Sequence, residues 1–102
     1  MADWKEIVAL EEIPALGSRV VDTAEGRIAI FRNASDGVFA LKDECPHLQG
    51  PLSQGIVHDN TVTCPLHSWK IDLASGEAKG PDEGCTNTYE TKIENGTVFL
   101  KI

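Results

Sequence analysis

Two short boxes of metal-ligating residues constrain the fold of this chain more than any other feature of its sequence. Cys45-Pro46-His47 is followed, after sixteen residues, by Cys64-Pro65-Leu66-His67. Each box offers one thiolate and one imidazole, and the short spacings let a single turn present both side chains on the same side. A fold that uses all four side chains at one site must bring two separate loops face to face.

The donor set of the two boxes is that of a mixed-ligand [2Fe–2S] centre, in which thiolates hold one iron and imidazoles hold the other. We therefore expect Cys45 and Cys64 to bind one iron and His47 and His67 to bind the other. Zinc is the main alternative, because two cysteines and two histidines also form a tetrahedral zinc site. Zinc sites usually pair like ligands within one knuckle, however. A Cys45–Cys64 disulfide is a third alternative, although it leaves both histidines unexplained.

Short β-type runs alternate with turn signals along the chain, and no segment shows a sustained helical period. Three of the turns, 33–37, 59–60 and 94–96, lie within predicted hairpins, and the Asn95-Gly96 pair supplies the positive φ that a tight turn needs. A short helical turn is expected only near 11–16. This spacing predicts an all-β fold, an antiparallel β-sandwich or small barrel. The predicted strands are Glu6–Leu10, Arg19–Thr23, Arg27–Arg32, Val38–Lys42, Ile56–His58, Thr61–Cys64, Thr88–Ile93 and Thr97–Ile102.

Both boxes fall in loops of this predicted sheet structure. The first box follows the strand Val38–Lys42, and the second follows Thr61–Cys64, so the cluster-binding loops are expected within about residues 43–81. With 102 residues, the chain is expected to form a single domain. Ser68 follows the second histidine and is positioned to donate its hydroxyl to a bridging sulfide, or else to bond its own backbone as a turn residue.

The charge of the chain excludes some classes of partner. Sixteen acidic and nine basic residues give a formal net charge of −7, which argues against nucleic-acid binding, because that binding depends on neutralising phosphates. An acidic surface suits a basic docking surface on a redox partner, or serves solubility alone. The sequence contains no apolar run long enough to span a bilayer and no secretory pattern at its start. Its three cysteines fit a disulfide framework poorly, so we expect a cytoplasmic protein with no membrane partner.

Further motifs surround the two boxes. Gly50-Pro51-Leu52-Ser53-Gln54-Gly55 follows the first box, Trp69, Asp72-Leu73 and Ser75-Gly76-Glu77 follow the second, and Gly80-Pro81-Asp82-Glu83-Gly84-Cys85 comes next. With the two boxes, this pattern resembles the Rieske [2Fe–2S] ferredoxin family over roughly residues 4–102. The last stretch and the terminal Asn95-Gly96 hairpin resemble, more narrowly, the small subunits of assimilatory NAD(P)H-dependent nitrite reductases.

The resemblance implies a Rieske-type fold with a two-loop cluster-binding subdomain, one [2Fe–2S] cluster, and single-electron transfer. It also implies a large partner subunit that holds flavin, sirohaem and a [4Fe–4S] cluster and that reduces nitrite to ammonium. This chain has no Gly-x-Gly-x-x-Gly dinucleotide fingerprint, so alone it is expected to carry electrons without reducing nitrite. Two other roles stay open: a free ferredoxin of an aromatic-ring dioxygenase and its reductase, and a structural subunit whose cluster only stabilises docking.

Departures from the respiratory Rieske proteins also bear on the site. Those proteins carry an additional cysteine in each box that forms a disulfide between the loops, whereas Gly50 and Leu66 occupy these positions here. The absence of the disulfide agrees with a reducing compartment, and the resemblance implies a lower reduction potential, as in the ferredoxin-type members.

Five residues outside the ligand set also have predicted environments. Trp69 is expected to pack beneath the second loop as part of the core, and the resemblance implies that Pro81 belongs to a third loop that covers the cluster. We expect Cys85 to be a small buried apolar residue, His58 to be an exposed residue near a turn, and Trp4 to pack on a terminal strand.

The ligand set predicts that the purified, oxidised protein contains two irons and two labile sulfides per chain. The reduced form should give an electron paramagnetic resonance spectrum with an average g value below that of all-cysteine clusters. Metal and sulfide analysis of freshly isolated protein, together with that spectrum, checks the prediction. Stoichiometric zinc without iron would contradict it.

Overall fold

The computed structural model describes residues 3–24, 26–43, 52–64, 69–78 and 84–102. Within these ranges the chain forms short strands and two 3-10 helices, at Leu10–Glu12 and Leu52–Gln54. The strands are β1 (Trp4–Ala9), β2 (Ser18–Thr23), β3 (Gly26–Arg32), β4 (Val38–Lys42), β5 (Ile56–His58), β6 (Thr61–Thr63), β7 (Lys70–Asp72), β8 (Thr88–Tyr89), β9 (Thr91–Glu94) and β10 (Thr97–Lys101). All strand pairs are antiparallel, and the all-β prediction is confirmed.

The strands form three sheets, of which the sheet β2–β3–β4–β8 is the middle one. Four of the seven residues of strand β3, Ile28–Phe31, are fully buried. This burial is expected for a strand that is covered on both faces. Ile28 and Ile30 pack with Val98 and Leu100 of the sheet β1–β10–β9. Side chains alternate along a strand, and Ala29 and Phe31 accordingly pack into a second cluster, with residues of the sheet β5–β6–β7.

Most of the predicted strands and hairpins are confirmed within a residue or two. Val38–Lys42 and Ile56–His58 have the predicted bounds, and the hairpins β3–β4, β5–β6 and β9–β10 form. In the last hairpin, Asn95 and Gly96 adopt φ values of 51° and 76°, the positive φ expected of an Asn-Gly turn. Strand β1 begins two residues earlier than predicted and gives way to a 3-10 helix at Leu10.

Two predictions about strands were wrong. The predicted strand Thr88–Ile93 is two strands in different sheets: β8 pairs with β4, and β9 pairs with β10. The chain changes sheets at Glu90, whose carbonyl accepts a hydrogen bond from the amide of Lys101. Strand β7 was missed, because three residues with one buried side chain, Ile71, give too short a pattern for period-two alternation to register.

The described part of the chain contains no helix that could cross a membrane. Its two helices, at Leu10–Glu12 and Leu52–Gln54, fall far short of the length and apolarity that a membrane-spanning helix requires.

Two glycines with the same backbone conformation provide a matched test of packing. Gly76 and Gly96 both have a φ of 76°. A Cβ atom at Gly76 would collide with the carbonyl oxygen of Thr86, whereas a Cβ at Gly96 would meet no atom within 4 Å. We predict that Gly96→Ala costs about 1 kcal/mol of stability from its positive φ. Gly76→Ala should cost about 1–3 kcal/mol more, because the collision adds overpacking strain.

Urea denaturation of the two variants and the parent protein, all prepared in the same way, measures this difference. Equal midpoints for Gly76→Ala and Gly96→Ala would show that the approach of the Thr86 carbonyl does not constrain position 76.

Candidate metal centre

The first box lies in a segment that joins β4 to the 3-10 helix Leu52–Gln54. Cys45 and His47 themselves lie outside the described residues, but both ends of their loop are described. Asp43 stands at the start, with a side chain that is only 1% exposed. Its carboxylate accepts hydrogen bonds from the backbone N–H of Ser53 (2.8 Å) and from the Ser53 hydroxyl (3.0 Å). The two ends of the first loop are thereby held together by one side chain.

Further hydrogen bonds fix this closure to the middle sheet. The carbonyl of Ser53 accepts a hydrogen bond from the hydroxyl of Ser18 on β2 (2.7 Å), and the N–H of Asp43 donates to the carbonyl of Arg27 on β3 (3.0 Å). The guanidinium of Arg27 lies 3.9 Å from the carboxylate, but that side chain is 67% exposed. Solvent therefore screens the ion pair, and the hydrogen bonds provide the more specific constraint.

The second box begins at Cys64, immediately after β6. Cys64 is 1% exposed, and its N–H donates to the carbonyl of Trp69 (2.6 Å). The pairing of β6 with β7 places Thr63 opposite Lys70, so both ends of the short segment 65–68 are held by ladder and loop hydrogen bonds. His67 and Ser68 belong to that segment and lie outside the described residues.

A third closure lies at the segment 79–83, where the predicted covering residue Pro81 falls outside the described residues. At its two ends the N–H of Ala78 donates to the carbonyl of Gly84 (2.9 Å), and Glu77 pairs with Cys85 in an isolated β-bridge. The two ends of the third segment therefore also lie next to each other.

At least one end of each of the three segments lies at one apolar cluster between the middle sheet and β5–β6–β7. Leu52 and Cys64 are members of that cluster, and Trp69 and Ala78 pack against it. Gly55 allows the first loop's end to approach the second box closely, because a Cβ there would collide with the carbonyl oxygen of Thr63. The remaining members are Ala29, Phe31, Leu41, Val57, Val62, Ile71 and Leu73, with Val20 and Phe39 packed against them.

The described residues test four of the predictions made from the sequence outside the loops. Trp69 is half-buried against the apolar cluster, as predicted for a core residue next to the second loop. His58 is exposed, as predicted, and lies within hydrogen-bond distance of the Thr63 hydroxyl (3.1 Å). Trp4 lies on the terminal strand β1, but its side chain is exposed rather than packed in the core, with the ammonium of Lys92 4.7 Å from the centre of its ring.

The prediction that Cys85 is buried was wrong, because this residue is exposed. It sits in an isolated bridge at the base of the third segment rather than in a strand that packs on the core. Sequence reasoning also missed Asp43 and Ser53, since an acid at a strand end and a serine in a loop are ordinary features of solvated turns.

The described residues fit an iron–sulfur cluster through their chemistry rather than through a complete ligand shell. Cys64 is the one ligand candidate among them, and no three His, Cys, Asp or Glu side chains gather into a metal site in the described ranges. A thiolate at 1% exposure is costly in an apolar cluster unless a positive ion compensates it, and a coordinating metal does so. The donor set of the two boxes matches this requirement.

Comparisons with known proteins agree with the geometry. The model of the Rieske [2Fe–2S] domain matches residues 3–90. The ferredoxin subunit of anthranilate 1,2-dioxygenase from Burkholderia cepacia is 32% identical over 103 residues, covering 100% of this chain and 94% of that protein. The 4beta-methylsterol monooxygenase of Methylococcus capsulatus is 49% identical over 84 residues, which make up 72% of this chain and 22% of the monooxygenase.

A solved structure gives the same result for the fold. A protein from Mycobacterium tuberculosis, inferred to be the small subunit of an NADH-dependent nitrite reductase, superimposes with a TM-score of 0.87 at 20% identity, covering 98% of this chain and 95% of that one. The chain therefore belongs to the Rieske [2Fe–2S] family. It is an electron-transfer protein, and its cofactor is a Rieske-type [2Fe–2S] cluster rather than zinc.

Proposed function

We propose that this Rieske-family chain is the small subunit of an assimilatory NAD(P)H-dependent nitrite reductase and passes single electrons within that enzyme. The observation that carries the proposal is the stretch Gly80–Cys85, which, with the short length of the chain and the terminal Asn95-Gly96 hairpin, resembles those small subunits. The fold of a protein inferred to be such a small subunit covers this chain almost completely and is compatible with the proposal, and the fold of a dioxygenase ferredoxin does so to the same extent.

The four residues of the two boxes would hold the cluster. Cys45 and Cys64 would bind one iron, and His47 and His67 would bind the other. When bound, the cluster supplies a centre that takes up and releases one electron. The chain's own contribution would be to hold the two ligand loops on the apolar cluster, to exclude water from Cys64, and to supply hydrogen-bond donors to the sulfurs, with Ser68 as a candidate donor. Pro81 would shape the third segment beside this centre.

The partner would be the large subunit that holds flavin, sirohaem and a [4Fe–4S] cluster. That subunit would bind the nicotinamide and nitrite, since this chain has no dinucleotide fingerprint. The net charge of −7 favours association with a basic surface, in which case association weakens as the salt concentration rises. We place the docking surface at the loops that carry His47 and His67.

A second candidate function is a free ferredoxin that serves an aromatic-ring dioxygenase and its reductase. The alignment with the anthranilate dioxygenase ferredoxin subunit favours it, because that alignment covers both proteins almost completely at 32% identity. The third candidate, a structural subunit whose cluster only stabilises docking, has no observation of its own and serves as an outcome of the test.

Reconstitution with the sirohaem subunit from the same source tests the proposal. We expect the cluster-loaded chain to form a complex with that subunit and to raise NAD(P)H-dependent nitrite reduction at least tenfold, while the chain alone reduces no nitrite. Cys64→Ser and His67→Ala, each of which removes one proposed ligand, should lose this stimulation. Ammonium formation and complex formation are measured for the parent chain and both variants.

Each other outcome identifies an alternative. If a variant that lacks the cluster binds the sirohaem subunit and stimulates it as well as the parent does, the role is structural and the electron-transfer proposal fails. If the parent chain neither binds nor stimulates the sirohaem subunit but delivers electrons to a Rieske dioxygenase, the ferredoxin role replaces the proposed one.

A further inference from the structure

The buried carboxylate of Asp43 is the one acidic side chain of the described structure that is withdrawn from solvent, at 1% exposure. Asp43 is not a ligand candidate, and the proposed electron transfer has not used it. Its two oxygens engage two donors of a single residue, the N–H and the hydroxyl of Ser53. A carboxylate is suited to this arrangement because it accepts at both oxygens and donates at neither.

The sequence position of this pair matters for the first ligand loop. Asp43 and Ser53 are ten residues apart and flank both Cys45 and His47. Ordering a loop with free ends so that two of its side chains bind one metal centre costs conformational entropy. Hydrogen bonds between the ends remove part of that loss in advance. Hydrogen bonds to a charged acceptor are also stronger than those between neutral groups.

The charge of Asp43 lies close to the proposed cluster site. Asp43 precedes Cys45 by two residues, so their Cα atoms are at most about 7 Å apart. A negative charge in a poorly solvated position acts over such a distance with little screening. The nearest described cation, Arg27, offsets it only in part, because that side chain is 67% exposed and 3.9 Å away. Adding an electron near Asp43 is therefore disfavoured.

We propose that Asp43 is a positioning residue of the iron–sulfur centre: with Ser53 it closes the first ligand loop, and its charge lowers the reduction potential. The proposal rests on the assignment of Cys45 and His47 as ligands. It does not depend on which large protein is the redox partner.

Substitutions separate the two roles. Asp43→Asn removes the charge while its amide still accepts from the Ser53 N–H and donates to the Ser53 hydroxyl oxygen. Ser53→Ala keeps the charge and removes one closing hydrogen bond, and Asp43→Ala removes both roles. Ser75→Ala is the matched control, because the Ser75 hydroxyl donates to the carboxylate of Asp72 (2.8 Å) in a turn that flanks no ligand box. Arg27→Gln removes the nearby positive charge and keeps the backbone carbonyl that Asp43 uses.

Two readouts on the isolated, cluster-loaded protein are measured at constant pH. The first is the half-life of the visible cluster absorbance during exposure to an iron chelator without oxygen. It should shorten about two- to tenfold in Ser53→Ala and more in Asp43→Ala. It should also shorten in Asp43→Asn, less than in Asp43→Ala, because neutral hydrogen bonds replace charge-assisted ones, and it should change little in Ser75→Ala. The second is the reduction potential. It should move to more positive values in Asp43→Asn, to more negative values in Arg27→Gln, and stay with the parent in Ser53→Ala and Ser75→Ala.

Each part can be overturned separately. A Ser53→Ala half-life equal to that of Ser75→Ala overturns the loop closure, even if Asp43→Ala fails to fold. A potential in Asp43→Asn at or below that of the parent overturns the effect of the charge. Failure of the ligand assignment is distinguishable, because Cys45→Ser and His47→Ala would then retain the normal cluster spectrum. Failure of the nitrite reductase role leaves both readouts unchanged.

Discussion

The four proposed cluster ligands are divided between two loops, so something outside the loops must fix the distance between them. In this chain that constraint is met by one apolar cluster, to which Leu52 after the first box and Cys64 at the second both belong. Each ligand segment is then closed at its base by its own hydrogen bonds, Asp43 to Ser53 at the first and Cys64 to Trp69 at the second. The cluster-binding loops can therefore differ in sequence without losing their relative positions.

The apolar cluster is in turn held by the middle sheet. Strand β3 is buried on both faces, and its alternating side chains serve two cores at once, Ala29 and Phe31 on the side of the ligand loops and Ile28 and Ile30 on the other side. Val98 and Leu100 of the sheet β1–β10–β9 pack with Ile28 and Ile30, on the side of strand β3 that faces away from the ligand loops. A chain of 102 residues can bury only a limited apolar area, and here both faces of one strand contribute to it.

The sequence predicted those parts of the structure that depend on local signals. The Asn95-Gly96 turn requires positive φ wherever it occurs, and Val38–Lys42 is a strand whose apolar pattern matches its burial. The break at Glu90 could not be predicted, because the β-type pattern of Thr88–Ile93 is continuous and only the tertiary partners of its two halves differ. Asp43 was missed for a similar reason, since its partner Ser53 is ten residues away and neither residue is unusual for a turn. Cys85 was placed in the core on the general burial of cysteine, whereas its bridge lies at the surface.

The central claim is that two histidines, one from each box, complete a Rieske centre on this scaffold. Electron–nuclear double resonance of the reduced protein, prepared with ¹⁵N-labelled histidine, tests it most directly. The account predicts two strongly coupled histidine nitrogens, one lost in each of His47→Ala and His67→Ala where a reduced cluster survives, and both kept in His58→Ala. A reduced cluster without coupled histidine nitrogen, or a coupling that disappears with His58, would contradict it.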